Sequence, residues 1–167
     1  TFNGRLELPE AKGLSGSGTE EDPFLIKTLS DLILFRDSVN AGETKYNAAG
    51  MYFVLTADID LEERPWTPIG RTGGDGGKSF KGIFDGNGKT ISNLYVSQAD
   101  TSALFYELGD DVTIKDLTID AKGERAINVI NSATNVTVDN VTATAANYTV
   151  NVAASAPNAV VAIKNST

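Results

Sequence analysis

The chain has 167 residues, a formal net charge of −8, no cysteine and no histidine. That length fits one domain with a sizeable core. The composition excludes disulfides and thiol chemistry, and it removes the commonest general base and transition-metal ligand. No run of Lys and Arg appears, so nucleic acid is not an expected partner, and no 18-residue apolar stretch exists to span a membrane. Thr1 in place of an initiator Met is what a mature export product or a trimmed chain shows.

Residues 1–15 read as a lead-in, with a short strand at Arg5-Leu6-Glu7-Leu8. A glycine-rich turn from Gly16 then leads into a strand ending at Ile26. Thr28-Leu29-Ser30-Asp31 opens a helix over about 28–41: Thr28 serves as the cap and Asp31 as its reciprocal partner. Leu29, Leu32, Ile33, Phe35 and Val39 share one arc of it, Arg36 lies on the same arc and must pair or snorkel, and Gly42 ends it. Tyr52 to Leu61 reads as a strand with a turn at Asp58-Ile59-Asp60. A glycine-rich loop follows over 71–78, then a strand at Phe80–Phe84 and a tight turn at Asp85-Gly86-Asn87-Gly88.

From Ile91 onward the chain repeats. Ile91-Ser92-Asn93-Leu94, Ile114-Lys115-Asp116-Leu117, Val138-Asp139-Asn140-Val141 and Ile163-Lys164-Asn165 place Asn or Asp at 93, 116, 140 and 165, at spacings of 23, 24 and 25. Ala103-Leu104-Phe105, Ala126-Ile127-Asn128 and Thr149-Val150-Asn151 form a second series, 23 apart. Two phase-locked series of short β-branched segments predict strands stacked coil on coil, a β-solenoid over 16–167. A β-sandwich would space its strands at about 8–12 residues without the longer period. The expected sheets join 91–96, 114–119 and 138–143 in one, and 103–106, 126–130 and 149–153 in another. Asn93, Asp116, Asn140 and Asn165 are expected to form a side-chain ladder at the bend between strands. The helix over 28–41 is expected to cover the open edge of the first coil. The last rung, Val160 to Ile163, has no such cover. Either more chain beyond Thr167 or self-association through the C-terminal coil is expected to supply it.

Residues 16–96 carry a more specific pattern. Trp66, Pro68, Ile69, Gly70, Phe80, Gly82, Phe84, Asp85, Gly86, Asn87, Gly88, Ile91 and Leu94 match WxPIG…FxGxFDGNGxxIxxL. This pattern resembles bacterial cell-surface proteins with GLUG-like repeats, and similar segments precede the catalytic parts of some immunoglobulin-A-cleaving metallopeptidases. The resemblance implies an all-β, right-handed single-stranded parallel β-helix of the pectin-lyase-like type, with an N-terminal capping helix and an extracellular or bacterial cell-surface location. It implies no peptidase, because the chain has no HExxH.

Several groups invite a chemical reading. Asp58 and Asp60, with Glu62 and Glu63, are spaced as paired carboxylates for glycoside hydrolysis or Ca²⁺ would be, and as a solvated acidic edge would be. Asp110, Asp111, Asp116 and Asp120, with Lys115 or Arg125 as base, would suit β-elimination of uronic polymers, although Asp116 also belongs to the ladder. Trp66, Tyr52, Tyr95, Tyr106 and Tyr148 could stack on sugar rings, while Trp66 within WTPIG also reads as packing against the next coil. Asp85-Gly86-Asn87-Gly88 has Lys at 89 and no Glu at the twelfth position, so it fails as a calcium loop. Thr118 and Thr142 fall at equivalent outward positions, with Tyr95 in the rung before them. No metal or cofactor is expected. The function read from all this is a non-catalytic surface module for adhesion, or for binding a glycan or host ligand. The competing readings are a polysaccharide lyase or hydrolase and a structural spacer within a larger surface protein.

Overall fold

The computed structural model describes residues 13–70, 78–96, 103–121, 125–130, 133–144, 148–153, 156 and 158–167. The strand expected at Arg5–Leu8 and the glycine loop over 71–77 lie outside these. The elements in order are β1 (Phe24–Ile26), α1 (Leu29–Ala41), α2 (Thr44–Asn47), β2 (Tyr52–Leu55), β3 (Ile59–Asp60), β4 (Ile83–Leu94), β5 (Thr113–Ala121), β6 (Arg125–Val129), β7 (Val136–Ala143), β8 (Tyr148–Val152) and β9 (Val161–Lys164). One sheet runs β1-β2-β4-β5-β7-β9, with β3 also on β4, and a second pairs β6 with β8. Every strand pairing is parallel. This is an architecture of the β-solenoid class: parallel neighbours that follow one another along the chain, each reached by a long excursion.

The register lines up one inward position across the whole sheet: Phe24, Phe53, Phe84, Ile114, Val138 and Ile163, at spacings of 29, 31, 30, 24 and 25. Aromatic rings fill this column in the early strands, and branched aliphatics fill it in the later ones. Phe24, Phe53, Phe84, Ile114 and Val138 are buried, whereas Ile163 is 51% exposed. Strands about 4.8 Å apart carry such a column without a gap. The second sheet sets Ile127 on Val150 and Asn128 on Asn151, and a single parallel bridge adds Phe105 to Ile127.

Helix α1 forms as its ends dictate. The Thr28 side chain accepts from the Asp31 amide and Asp31 accepts from the Thr28 amide, so the capping box is complete. Gly42 closes the helix in the left-handed conformation. Leu32, Phe35 and Val39 are buried, and Phe35 meets Phe53, Phe80 and Phe84 at centroid distances of 4.5, 5.5 and 5.6 Å. The helix thus seats its apolar arc on the aromatic part of the core. The short helix α2 has no counterpart in the sequence reading; Tyr46 and Asn47 anchor it, Asn47 donating to the Ser79 carbonyl at 2.9 Å.

The expected sheet membership holds for 91–96, 114–119 and 138–143, but the phase of the first rung does not. Ile91 lies opposite Ile119, and it is Phe84 that lies opposite Ile114. The cause is strand β4 itself. Asp85-Gly86-Asn87-Gly88 is no strand-terminating turn. The chain bends there, with Asn87 and Gly88 at φ 50° and 70°, and runs on in the same strand, the register slipping between Asp85 and Lys89. Two consequences follow. Asn93 falls out of the column that holds Asp116, and the outward threonines run Thr90, Thr118, Thr142 instead of meeting Tyr95. Thr167 extends that column, its Oγ1 3.5 Å from Thr142 Oγ1.

Candidate functional site

The bends within and before the strands take their polar residues from two columns. Asp116, Asn140 and Asn165 have φ of 52°, 53° and 49°, and Asp111 and Asn135 both have 58°. These left-handed angles suit Asn and Asp and few other side chains. Asn140 Nδ2 donates to Asp116 Oδ1 at 2.8 Å, Asn135 Nδ2 to Asp111 Oδ1 at 3.0 Å, and Asn165 Nδ2 to Asp139 Oδ1 at 2.9 Å, one residue off the expected partner Asn140. Asn93 instead donates to Asp60 Oδ1 at 2.8 Å. The expected ladder is therefore Asp116 with Asn140 in direct contact, Asn165 beside it, and Asn93 elsewhere.

Asn140 is also exposed, not buried. The cost of Asn140→Leu then comes from the left-handed backbone and one solvated hydrogen bond, about 1–2 kcal/mol. Asn140→Gly keeps the backbone angle and is expected to lose less than half of that. Thermal unfolding of the two variants checks the ordering; equal losses would assign the effect to the side-chain bond alone.

The first acidic pair is committed in the same way. Asp58 Oδ1 accepts from the Thr90 amide at 2.8 Å, and Asp60 Oδ1 accepts from the Glu62 amide at 2.7 Å as well as from Asn93. Asp110 Oδ1 accepts from the Thr134 amide and hydroxyl at 2.7 and 3.0 Å, and these bonds hold its carboxyl below the ordinary carboxylate range. Asp110 and Asp111 edge a cavity of about 430 Å³ whose walls include Ser79, Lys81 and Ala133. Among the described residues no three His, Cys, Asp or Glu side chains converge as a metal site.

Trp66 does not serve as an open platform. It is 6% exposed, and the Arg36 guanidinium lies 4.6 Å from its ring centroid. Arg36 also bonds Asp37, Nε to Oδ1 at 2.8 Å, so its charge is satisfied at the helix surface while its face covers the indole. Tyr95 and Tyr148 are the open aromatics among these candidates, 46% and 52% exposed, Tyr95 being bridged to Pro65 of the neighbouring segment, and Tyr52 and Tyr106 are half-buried. The structure thus separates the candidate sugar-binding aromatics into one buried, two half-buried and two exposed.

Two features escaped the sequence reading. The first is a polar cluster on the outer face of β2, β4 and β5. Lys115 Nζ lies 3.2 Å from Asp85 Oδ2 and 5.5 Å from the Tyr52 ring, and Tyr52 Oη donates to Asp85 Oδ2 at 3.5 Å. The Tyr52 hydroxyl first, and Asp85 second, hold the Lys115 ammonium well above its usual pKa against a desolvation that lowers it. A lysine so held stays protonated at neutral pH and is no general base. The second is the pair Asn151 Nδ2 donating to Asn128 Oδ1 at 2.5 Å across the second sheet, with Asn128 2% exposed and Asn151 half-buried. The 23-residue repeat of Asn at 128 and 151 was the available signal for it.

Fold and site together define a parallel β-stack of the repeat type, in which Asp58, Asp110 and Asp116 accept hydrogen bonds from the neighbouring coil. No family model matches the chain, and no solved structure matches it. Two curated relatives do. Halomucin of Haloquadratum walsbyi is 33% identical over 142 residues, 77% of this chain but 1% of that protein. A putative Gly-rich membrane protein of Evansella cellulosilytica is 31% identical over 112 residues, 62% of this chain and 12% of that protein. The chain therefore spans a small fraction of the length of either relative. Among the described residues no helix is long and apolar enough to cross a membrane.

Proposed function

We propose that the chain is a non-catalytic module of an extracellular or cell-surface protein, a right-handed single-stranded parallel β-helix that contributes adhesion by binding a glycan or host-surface ligand. The observation that carries this reading is the commitment of its acids. Asp58, Asp60, Asp110 and Asp116 each hold a backbone or side-chain donor of a neighbouring turn or coil, and Asp85 holds Lys115. Carboxylates engaged in this way serve the bends of the stack, and Lys115 is held protonated beside Asp85. The relatives' names, a halomucin and a putative membrane protein, support a surface location. Tyr95 beside Pro65 gives one exposed aromatic surface suited to the apolar face of a pyranose.

The test is a glycan array probed with the purified chain, followed by titration of any glycan retained. Tyr95→Ala is expected to weaken that binding roughly tenfold, the loss of one aromatic contact worth about 1.4 kcal/mol. No retained glycan would leave the spacer reading in its place. In parallel, incubation with pectate or alginate, with and without Ca²⁺, is expected to produce no unsaturated uronates. Turnover that disappears in Asp58→Asn or Asp60→Asn would replace the binding reading with a lyase.

A further inference from the structure

The bends of the later coils share one pattern: Asn or Asp, a second residue, then threonine. Asp111-Val112-Thr113 and Asp116-Leu117-Thr118 belong to the coil of β5. Asn135-Val136-Thr137 and Asn140-Val141-Thr142 take the same places in the coil of β7, and Asn165-Ser166-Thr167 follows β9. The left-handed angle at these bends suits Asp and Asn alike. Only Asn, with Ser or Thr two places on, is also an acceptor for an N-linked glycan. The chain holds four such triplets, all of them after residue 134. The asparagine of the fourth, Asn147-Tyr148-Thr149, lies outside the described residues.

Asn135, Asn140 and Asn165 are all exposed. Nδ2 of each donates to an aspartate of the preceding coil, at 3.0, 2.8 and 2.9 Å. A carboxamide nitrogen carries two N–H groups, so that bond uses one and a second remains for substitution. Charge runs out over the same stretch. From Ala126 to Thr167 the charged side chains are Asp139 and Lys164 alone, in a chain that is 22% charged overall. Surfaces stay in solution through charge or through other strongly hydrated groups. The acceptors stand where the charges stop.

We propose that Asn135, Asn140 and Asn165 are sites of N-linked glycosylation, with a lipid-phosphate-linked oligosaccharide as the donor. This rests on the extracellular location proposed above. In the transfer, the bond between the anomeric carbon of the donor and its phosphate oxygen breaks, and the lipid phosphate leaves with the electron pair. A bond forms from that carbon to Asn Nδ2, and the proton lost from Nδ2 balances the departing phosphate. The N–H that stays on Nδ2 keeps the bond to Asp111, Asp116 or Asp139. Glycans then project from two bends of one coil and from the bend that succeeds Asn140 in the next.

The chain, fused to an export signal and secreted from a eukaryotic cell, provides the test. Peptide mass spectrometry reads each site before and after peptide N-glycosidase, which turns an occupied Asn into Asp. Glycan is expected on Asn135, Asn140 and Asn165. Thr137→Ala, Thr142→Ala and Thr167→Ala are each expected to empty their own site and no other, while the matching Thr→Ser variants keep it filled. These substitutions leave every Asn and its bond to Asp in place, so they report acceptor recognition and not the state of the bend. A secreted chain bare at all three sites overturns the proposal, as does occupancy that survives Thr→Ala, and a single bare site loses its assignment. In its own cells, a chain that is extracellular and bare also overturns the proposal. A chain that is intracellular and bare there, yet glycosylated when secreted, overturns the extracellular reading on which the native modification rests.

Discussion

Phe35→Ala is expected to cost about 3–5 kcal/mol of unfolding free energy, a large part of the 5–15 kcal/mol that a domain of this size holds. Phe35 is fully buried and touches the rings of Phe53, Phe80 and Phe84; Phe53 in turn meets Phe24, and Phe80 and Phe84 both meet Phe105. Phe53 and Phe84 belong to parallel strands held at fixed spacing, and Phe80 is bridged to Leu108, so the rings cannot collapse inward to fill the void and the cavity term stays near its upper value. Urea unfolding followed by the fluorescence of Trp66, the single tryptophan, measures the loss. Because α1 positions Arg36 over that indole, the native emission should also shift. A cost under about 1 kcal/mol would mean that the helix is not seated on the aromatic core.

The second large effect lies in the bend of β4. Gly86→Ala is expected to cost about 3 kcal/mol, the upper end for overpacking. A Cβ at Gly86 would lie 2.4 Å from the Asp116 carbonyl oxygen and 2.6 Å from Leu117 Cα, both backbone atoms of the next coil. Backbone cannot turn aside as a side chain can, and shifting it would break the adjoining column of Asp116 and Asn140. Gly88→Ala, two residues on, supplies the control. Gly88 has a φ of +70° but open space around it, so alanine there meets only the left-handed strain of about 1 kcal/mol. Chemical denaturation of both variants should rank Gly86 well above Gly88. The reverse ranking would show that conformation, not the closeness of the coils, governs this bend.

Local features were legible in the chain and long-range ones less so. Helix α1 could be read to the residue because its cap, its partner and its terminating glycine all lie within fifteen positions of one another. The repeat of the last coils could be read because Asp116 and Asn140 recur with the β-branched residues around them. Asn93 looked identical at that level. Its displacement depends on whether Asp85-Gly86-Asn87-Gly88 ends a strand or bends it, and the same four residues serve either purpose. Trp66 shows the other limit. Nothing near WTPIG announces that an arginine thirty residues earlier will lie across the indole, so an aromatic suited to a sugar and an aromatic closed beneath a guanidinium carry the same local sequence. The Tyr52, Asp85 and Lys115 cluster was invisible for a related reason: its members sit on three strands, and only the register across β2, β4 and β5 brings them together.

The inward column changes character along the stack, from Phe24, Phe53 and Phe84 to Ile114, Val138 and Ile163. In a quasi-one-dimensional molecule each layer is held chiefly by its neighbours, so such a gradient gives the molecule a polarity that a uniform stack lacks. Each ring buries more surface than the isoleucine or valine that succeeds it, and the helix adds its own ring at the same end. The layers nearest Thr167 are therefore expected to exchange their amide hydrogens first, and the layers where the phenylalanines meet last.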